Sequence, residues 1–271
     1  ERVTLRPGQS YTPGAALVEG FTPGSGAVQV TAAASPIDAG ALYASLSRYP
    51  YACSEQLVSR VMPLVYADQL AALSGDDAPD GAAGQVRGAV ETVLSRQSAD
   101  GAFGLWRIGD RQASPWIGAY TSDFLARAAE AGYPVPEAAL NRALAALQPV
   151  SQGELWRSGY DDDIGNPDWT RDTRQRLLDR SAAYALYVLA RAGEVDRSRL
   201  RYMHDERLRE IESPLARAHI GAGLAAIGDQ ARAASAFDDK FCGADVDKAF
   251  VQEVIDAAGA NGDITFNQFL N

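Results

Sequence analysis

Three stretches of this chain echo one another, and that recurrence limits what it can fold into. Ala119-Tyr120-Thr121-Ser122-Asp123-Phe124-Leu125-Ala126-Arg127-Ala128 is matched by Ala183-Tyr184-Ala185-Leu186-Tyr187-Val188-Leu189-Ala190-Arg191-Ala192, and Ala218 through Gly228 is a looser third copy. Each stretch is rich in alanine with apolar residues at helical spacing, and small side chains let helices approach closely. A recurring helix pair cannot bury its apolar face alone; it needs neighbours of its own kind, which points to a closed or stacked helical array. The competing reading is that alanine-rich amphipathic helices look alike by composition.

Helical grammar runs from about residue 37 onward. The spacing predicts helices over 55–73, with Pro63 as a kink or a helix start, then 82–94 and 116–131, the last ended by Gly132. A helix over 136–147 places Pro136 in its first turn, and Gly193 closes one over 173–192. Residues 197–209, 214–227 and a segment starting at 230 complete the series. Residues 1–36 read differently. Val3-Thr4-Leu5, Ala15-Ala16-Leu17-Val18 and Ala27-Val28-Gln29-Val30-Thr31 are strand-like runs divided by Pro-Gly turns. Three short strands cannot form a stable domain, so they are expected to pair with strands elsewhere, including outside this chain.

The composition narrows the function. Hydrophobic residues make up 46% of 271 residues, enough for a sizeable core, and 25 basic residues against 35 acidic ones give a net charge of −10. Such a surface argues against nucleic acid as a partner, because phosphate binding needs a basic face. No apolar run of about 18 residues spans a membrane. The opening Glu1-Arg2-Val3-Thr4-Leu5 is not a signal peptide. Cys53 and Cys242 form neither a disulfide framework nor a zinc set. The run Asp161-Asp162-Asp163 reads as a solvated acidic loop rather than a cation site, so neither a metal nor a cofactor is expected.

The chemistry concentrates in Tyr49-Pro50-Tyr51-Ala52-Cys53-Ser54-Glu55-Gln56. A cysteine at a helix mouth with a glutamine three residues later puts thiol and carboxamide on one face. If the sulfur attacks the carboxamide carbon and ammonia leaves, Cys53 and Gln56 are joined as an internal thioester, a stored acyl donor. Glu55 is a candidate supporting residue that orients the site or carries a proton; a first-turn acid favoured by the helix dipole is the equal alternative. A thioester survives only where water is excluded, and Tyr49, Tyr51 and Trp106 are the candidate shields.

These residues carry a family resemblance. The segment from Tyr49 to Gln56, with Ser59-Arg60 and Met62-Pro63-Leu64, resembles the thioester-forming segment of bacterial alpha-2-macroglobulins. Asp100-Gly101-Ala102-Phe103-Gly104-Leu105-Trp106 resembles a second signature of that domain, and the segments 120–125, 183–189 and 214–218 follow in family order. The resemblance implies a mainly α fold, an α/α toroid of helical hairpins, over 37–271. It further implies that 1–36 is the start of the β-rich CUB domain into which the toroid is inserted. It implies a protease trap: after bait cleavage the thioester couples to lysine amines of the attacking protease in a single turnover, with no enzymatic cycle. The remaining domains of a longer chain would be partners, and the location would be periplasmic or cell-surface, with any lipid anchor outside this chain. Ala52 stands where the family usually has glycine and Ser54 where it often has leucine. Residues 238–271 depart from the family pattern and are of uncertain origin. They resemble half of a degenerate EF-hand lacking the carboxylates calcium needs, and are expected to pack as a helix and apolar tail.

Some complement relatives relay through a histidine to favour hydroxyl targets. Here His204 and His219 are the only histidines, and His219 in its alanine-rich helix reads as a packing residue, so amine targets are expected. Two other readings compete. Gln97 through Trp106 also resembles the Gln-Trp motif of triterpene cyclases, but Tyr160-Asp161-Asp162-Asp163 lacks the first aspartate of their acid motif. A helical protein-binding module with Cys53 as an inert core thiol is the other.

Overall fold

The computed structural model describes residues 3, 5–6, 8–14, 18–22, 52–69, 81–110, 114–154 and 171–237, the last segment with side chains from Gln175 onward. The helices are α1 (Ser54–Val61), α2 (Ala82–Leu94), α3 (Pro115–Glu130), α4 (Glu137–Ser151), α5 (Arg171–Arg191), α6 (Arg197–Tyr202), α7 (Pro214–Ala226) and α8 (Gln230–Ala236). Their ends repeat the same chemistry. At α3 and α7 a serine hydroxyl accepts from the backbone three residues on, Ser114 from Ile117 N at 3.1 Å and Ser213 from Ala216 N at 3.3 Å, and proline takes the first helical position.

Four helices close on a left-handed glycine: Gly132, Gly153, Gly193 and Gly228 have φ of 84°, 87°, 78° and 80°. In each, the glycine N–H and the next N–H donate to two carbonyls of the final turn, as Gly132 and Tyr133 do to Ala129 (3.0 Å) and Ala128 (2.9 Å). These repeated stops fold the chain into hairpins.

The hairpins pack as an inner and an outer series. Helix α1 lies on α3, α3 on α5 and α5 on α7, while α2 covers α1, α4 covers α3 and α5, and α8 covers α7. Helix α5 sits between two cores. Tyr184, Tyr187 and Val188 face Leu144, Leu147 and Val150 of α4, whereas Ala183, Leu186 and Ala190 face Leu200, Ile220 and Leu224. A third core joins Leu57, Val58 and Val61 of α1 to Val86, Val90 and Val93 of α2 and Phe124 of α3. The three echoing stretches are therefore successive inner helices, α3, α5 and α7. Their alanines recur because helices packed on both sides need small side chains. This is the α/α toroid architecture.

A polar cluster ties the inner helices together. The buried Asp123 accepts from Arg127 Nε at 2.9 Å, Arg191 at 3.1 Å and the Tyr184 hydroxyl at 3.0 Å. Arg127 also reaches Tyr66 (2.9 Å) and Tyr187 (2.8 Å). Burial alone would lower the Arg127 pKa; the Asp123 carboxylate, aided by the two tyrosines, outweighs it and raises the pKa. Burial raises the Tyr184 hydroxyl, and Asp123 beside it raises it further. The equivalent arginines of two echoes, Arg127 and Arg191, thus share one carboxylate. Beside them His219 stacks on Tyr184 with ring centroids 4.2 Å apart and planes 8° from parallel.

Several expectations are corrected. The first helix does not run from 55 to 73: α1 stops at Val61, and Pro63 opens a 3-10 turn to Tyr66, because proline cannot donate to the preceding turn. Pro136 caps α4 from outside instead of sitting in its first turn. Helix α4 continues through Pro149 to Ser151, four residues past Leu147; the carbonyl that Pro149 leaves unbonded belongs to the exposed Ala145, where water can satisfy it. The helix expected over 197–209 is α-helical to Tyr202 and a π turn over Met203–Arg207. Among the described residues of 1–36 there is no strand, and Val3, Leu5 and Val18 of the expected runs are exposed. The strand expected over 27–31, the Asp161–Asp163 loop and residues 238–271, including Cys242, lie outside the described residues.

Candidate functional site

The mouth of α1 is built from both ends of the expected motif. Cys53 is extended, with φ −65° and ψ 163°, and caps the helix with its sulfur: Gln56 N donates to Cys53 Sγ at 3.4 Å. A thiol is a weak acceptor, so this cap stabilises the helix less than a serine would and leaves the sulfur available. The Cys53 thiol is free and buried. The same turn sets the Gln56 backbone N–H on the sulfur. Its Oε1 is buried with no hydrogen-bond partner among the described residues, an uncommon state for a buried amide oxygen.

The flanking residue Ser54 is fully buried and anchors the mouth to the loop after α2. Its N–H donates to Leu105 O at 2.8 Å and its hydroxyl to Gly104 O at 2.7 Å. Arg96 completes the clamp, donating to Ala52 O (2.7 Å), Leu105 O (3.1 Å) and Ser54 Oγ (3.1 Å). Burial lowers the Arg96 pKa, and nearby Cys53 partly restores it. The loop itself is a tight antiparallel return with an isolated bridge between Gln97 and Phe103. Gly104 is required there: a Cβ would stand 1.7 Å from Arg107 O and 2.9 Å from Asp110 Cβ. The second signature, Asp100 to Trp106, is therefore the wall against which the cysteine segment is held.

Glu55 points along α1, where its Oε1 accepts from Ser59 Oγ at 2.8 Å; Ser59 in turn lies 3.0 Å from the Tyr120 hydroxyl. Burial raises the Tyr120 pKa; the Ser59 hydrogen bond opposes this, and the Glu55 and Asp123 charges add to it. Tyr120 meets Trp116 at 5.0 Å and Tyr184 at 6.4 Å between centroids, so an aromatic chain links the site to His219.

Of the expected shields, Trp106 is 52% exposed, on the surface beside Leu105, with its backbone N–H donating to Asp110 Oδ2 at 2.8 Å. Tyr49 and Tyr51 lie outside the described residues. Ser54 and Arg96 were not legible as site residues, since a serine and an arginine 42 positions apart carry no joint signal. Gly104 had one in the glycine spacing of its segment. Among the described residues no group of three or more His, Cys, Asp or Glu is placed to hold a metal, and no helix is long and apolar enough to cross a membrane.

An inner ring of helices whose first member opens on a clamped cysteine, with glutamine one turn in, is the architecture of macroglobulin thioester domains. Comparison with known proteins agrees. Residues 30–154 match the family model of the A-macroglobulin TED domain. The chain belongs to the bacterial alpha-2-macroglobulin family. It is 30% identical over 234 residues to alpha-2-macroglobulin of Escherichia coli strain K12, covering 84% of this chain and 13% of that protein. Trypsin-activated alpha-2-macroglobulin from Escherichia coli superposes with a TM-score of 0.58 at 26% identity, covering 82% of this chain and 15% of that one. Salmonella alpha-2-macroglobulin reacted with methylamine gives 0.58 at 28% identity, covering 85% and 15%. The chain thus spans about an eighth of the length of the curated relative it matches.

Proposed function

We propose that this chain is the covalent-coupling domain of a protease-trapping inhibitor. The observation that carries the reading is the Cys53 sulfur at the α1 mouth, 3.4 Å from the Gln56 backbone nitrogen, with the Gln56 amide oxygen buried and without a partner among the described residues. The sulfur adds to the Gln56 carboxamide carbon, the C–N bond breaks, and the thiol proton leaves with the departing ammonia. An incoming lysine amine later attacks the acyl carbon and returns the sulfur to a thiol. Each site works once, so the domain is a trap and not an enzyme. Two similar proteins, one activated by trypsin and one reacted with methylamine, support protease and amine as partners.

Amines are the favoured nucleophiles because the His219 ring, the candidate relay, is packed in the aromatic cluster against Tyr184 and Tyr187, with centroids 4.2 and 5.5 Å away. The other histidine, His204, lies 2.8 Å from Asp205 on the π turn. Residues 1–36 begin the neighbouring CUB domain in this reading, and the location is periplasmic or cell-surface, with any anchor outside this chain. The test is intact mass, with and without methylamine, on the longest natural polypeptide that contains this chain. A protein lighter than its sequence by one ammonia, gaining methylamine at Gln56 and a titratable thiol at Cys53, is the expected result. Full mass and no uptake would refute the reading and leave the non-covalent binding module. Faster coupling to glycerol than to methylamine would refute the amine preference.

A further inference from the structure

Helix α1 carries two side-chain stripes at i, i+4 spacing, and they are treated differently. On one, Glu55 and Ser59 satisfy each other at 2.8 Å. On the other, Gln56 Oε1 and Arg60 Nε are both buried and both lack a hydrogen-bond partner among the described residues. An orphaned acceptor and an orphaned charged donor one turn apart on the same face are costly, since a buried unmade hydrogen bond to a charged group forfeits its full desolvation. Such a pair is explained if the bond is made only when the acceptor gains charge. Gln56 Oε1 is the atom that gains it. Addition of the Cys53 sulfur, or later of an amine, to the Gln56 acyl carbon makes that carbon tetrahedral and moves an electron pair onto this oxygen.

We propose that Arg60 is the oxyanion donor of the site. Its Nε–H turns onto Gln56 Oε1 as the tetrahedral intermediate forms and releases it as the carbonyl returns. No proton is transferred in this step: the guanidinium stays charged throughout. The thiol proton leaves with ammonia when the thioester forms, and an amine proton returns to sulfur when it is consumed. A donor that engages the oxygen only as charge develops, and not in the ground-state carbonyl, lowers the barrier without stabilising the stored thioester. The backbone N–H of Gln56 is already occupied by Cys53 Sγ, so it does not fill this role. Arg60 thereby makes the site respond to nucleophiles while the acyl group stays high in energy until one arrives.

The proposal rests on the thioester reading, and its test separates the two. Wild type, Arg60→Met and Arg60→Lys are prepared in the longest natural polypeptide containing this chain. Thiol release by methylamine is timed and divided by the thioester present at the start, as measured by mass. Arg60→Met is expected to slow release per thioester by about 10²–10³-fold. Arg60→Lys, which keeps a charge but lacks the Nε donor, is expected to fall between. Unchanged rates per thioester in both variants would overturn the Arg60 role while leaving the thioester intact. Wild type with no thioester would overturn the underlying reading instead. A measurement on wild type alone covers the case in which the variants do not fold: the pH dependence of thiol release between pH 7 and 9, corrected for free amine, is expected to be flat, because guanidinium does not titrate there. A further titration in that range would assign the donor to a different group and overturn the proposal.

Discussion

Acidification should unfold this domain through one buried ring. His219 is held neutral: burial lowers its pKa to about 4, Arg127 and Arg180 push the same way, and Asp123 opposes them. In the unfolded chain a histidine titrates near 6.5. Because the folded value is the lower one, the unfolded chain binds the proton first. The stability contribution is fully present above about pH 6.5 and is lost as pH falls through about 4. The gap of about 2.5 pH units corresponds to about 3 kcal/mol in full, of which about 2 kcal/mol is gone by pH 5. The assay is urea denaturation at pH 7 and pH 5 for wild type and His219→Phe, which keeps a ring against Tyr184. Wild type should lose about 2 kcal/mol more than the variant between the two pH values. Asp205, lowered to about 2 by its hydrogen bonds from Arg232 and His204, titrates below this window and is common to both proteins. Equal losses in the two proteins would refute the reasoning, because the proton uptake would then lie elsewhere.

Other perturbations reach different parts of the same machinery. Asp123→Asn breaks a buried carboxylate shared by Arg127, Arg191 and Tyr184 and is expected to cost about 3–5 kcal/mol, measured by denaturant unfolding. Arg96→Met strips three hydrogen bonds from Ala52, Ser54 and Leu105; unfolding should show a loss of about 2–4 kcal/mol and mass spectrometry a smaller thioester fraction. Gly104→Ala forces a methyl against Arg107 O and should destabilise by more than about 2 kcal/mol, with wild-type stability at that position contradicting the loop geometry. Cys53→Ala should abolish both the ammonia deficit and methylamine uptake while leaving the helices intact by circular dichroism, since the cap it removes is a weak one.

Much of this protein was legible in its residues because the signals were local. Helix α2 was expected at its observed bounds. The glycines after α3 and α5 marked stops that need only neighbouring backbone, and the Cys53–Gln56 spacing placed the two groups on one turn. The alanine-rich echoes announced that these helices would pack against each other. Only the tertiary structure decided which partners each helix met. It alone brought Arg127 and Arg191 onto one Asp123, set Arg96 across Ala52 and Leu105, and kept α4 helical through Pro149. It also left Gln56 Oε1 and Arg60 Nε buried without partners among the described residues, which no spacing rule foretells. The physical division is one of range: caps and turns are settled by contacts within a few residues, whereas burial, ion pairing and the emptiness around a reacting atom depend on chains that meet from far apart in sequence.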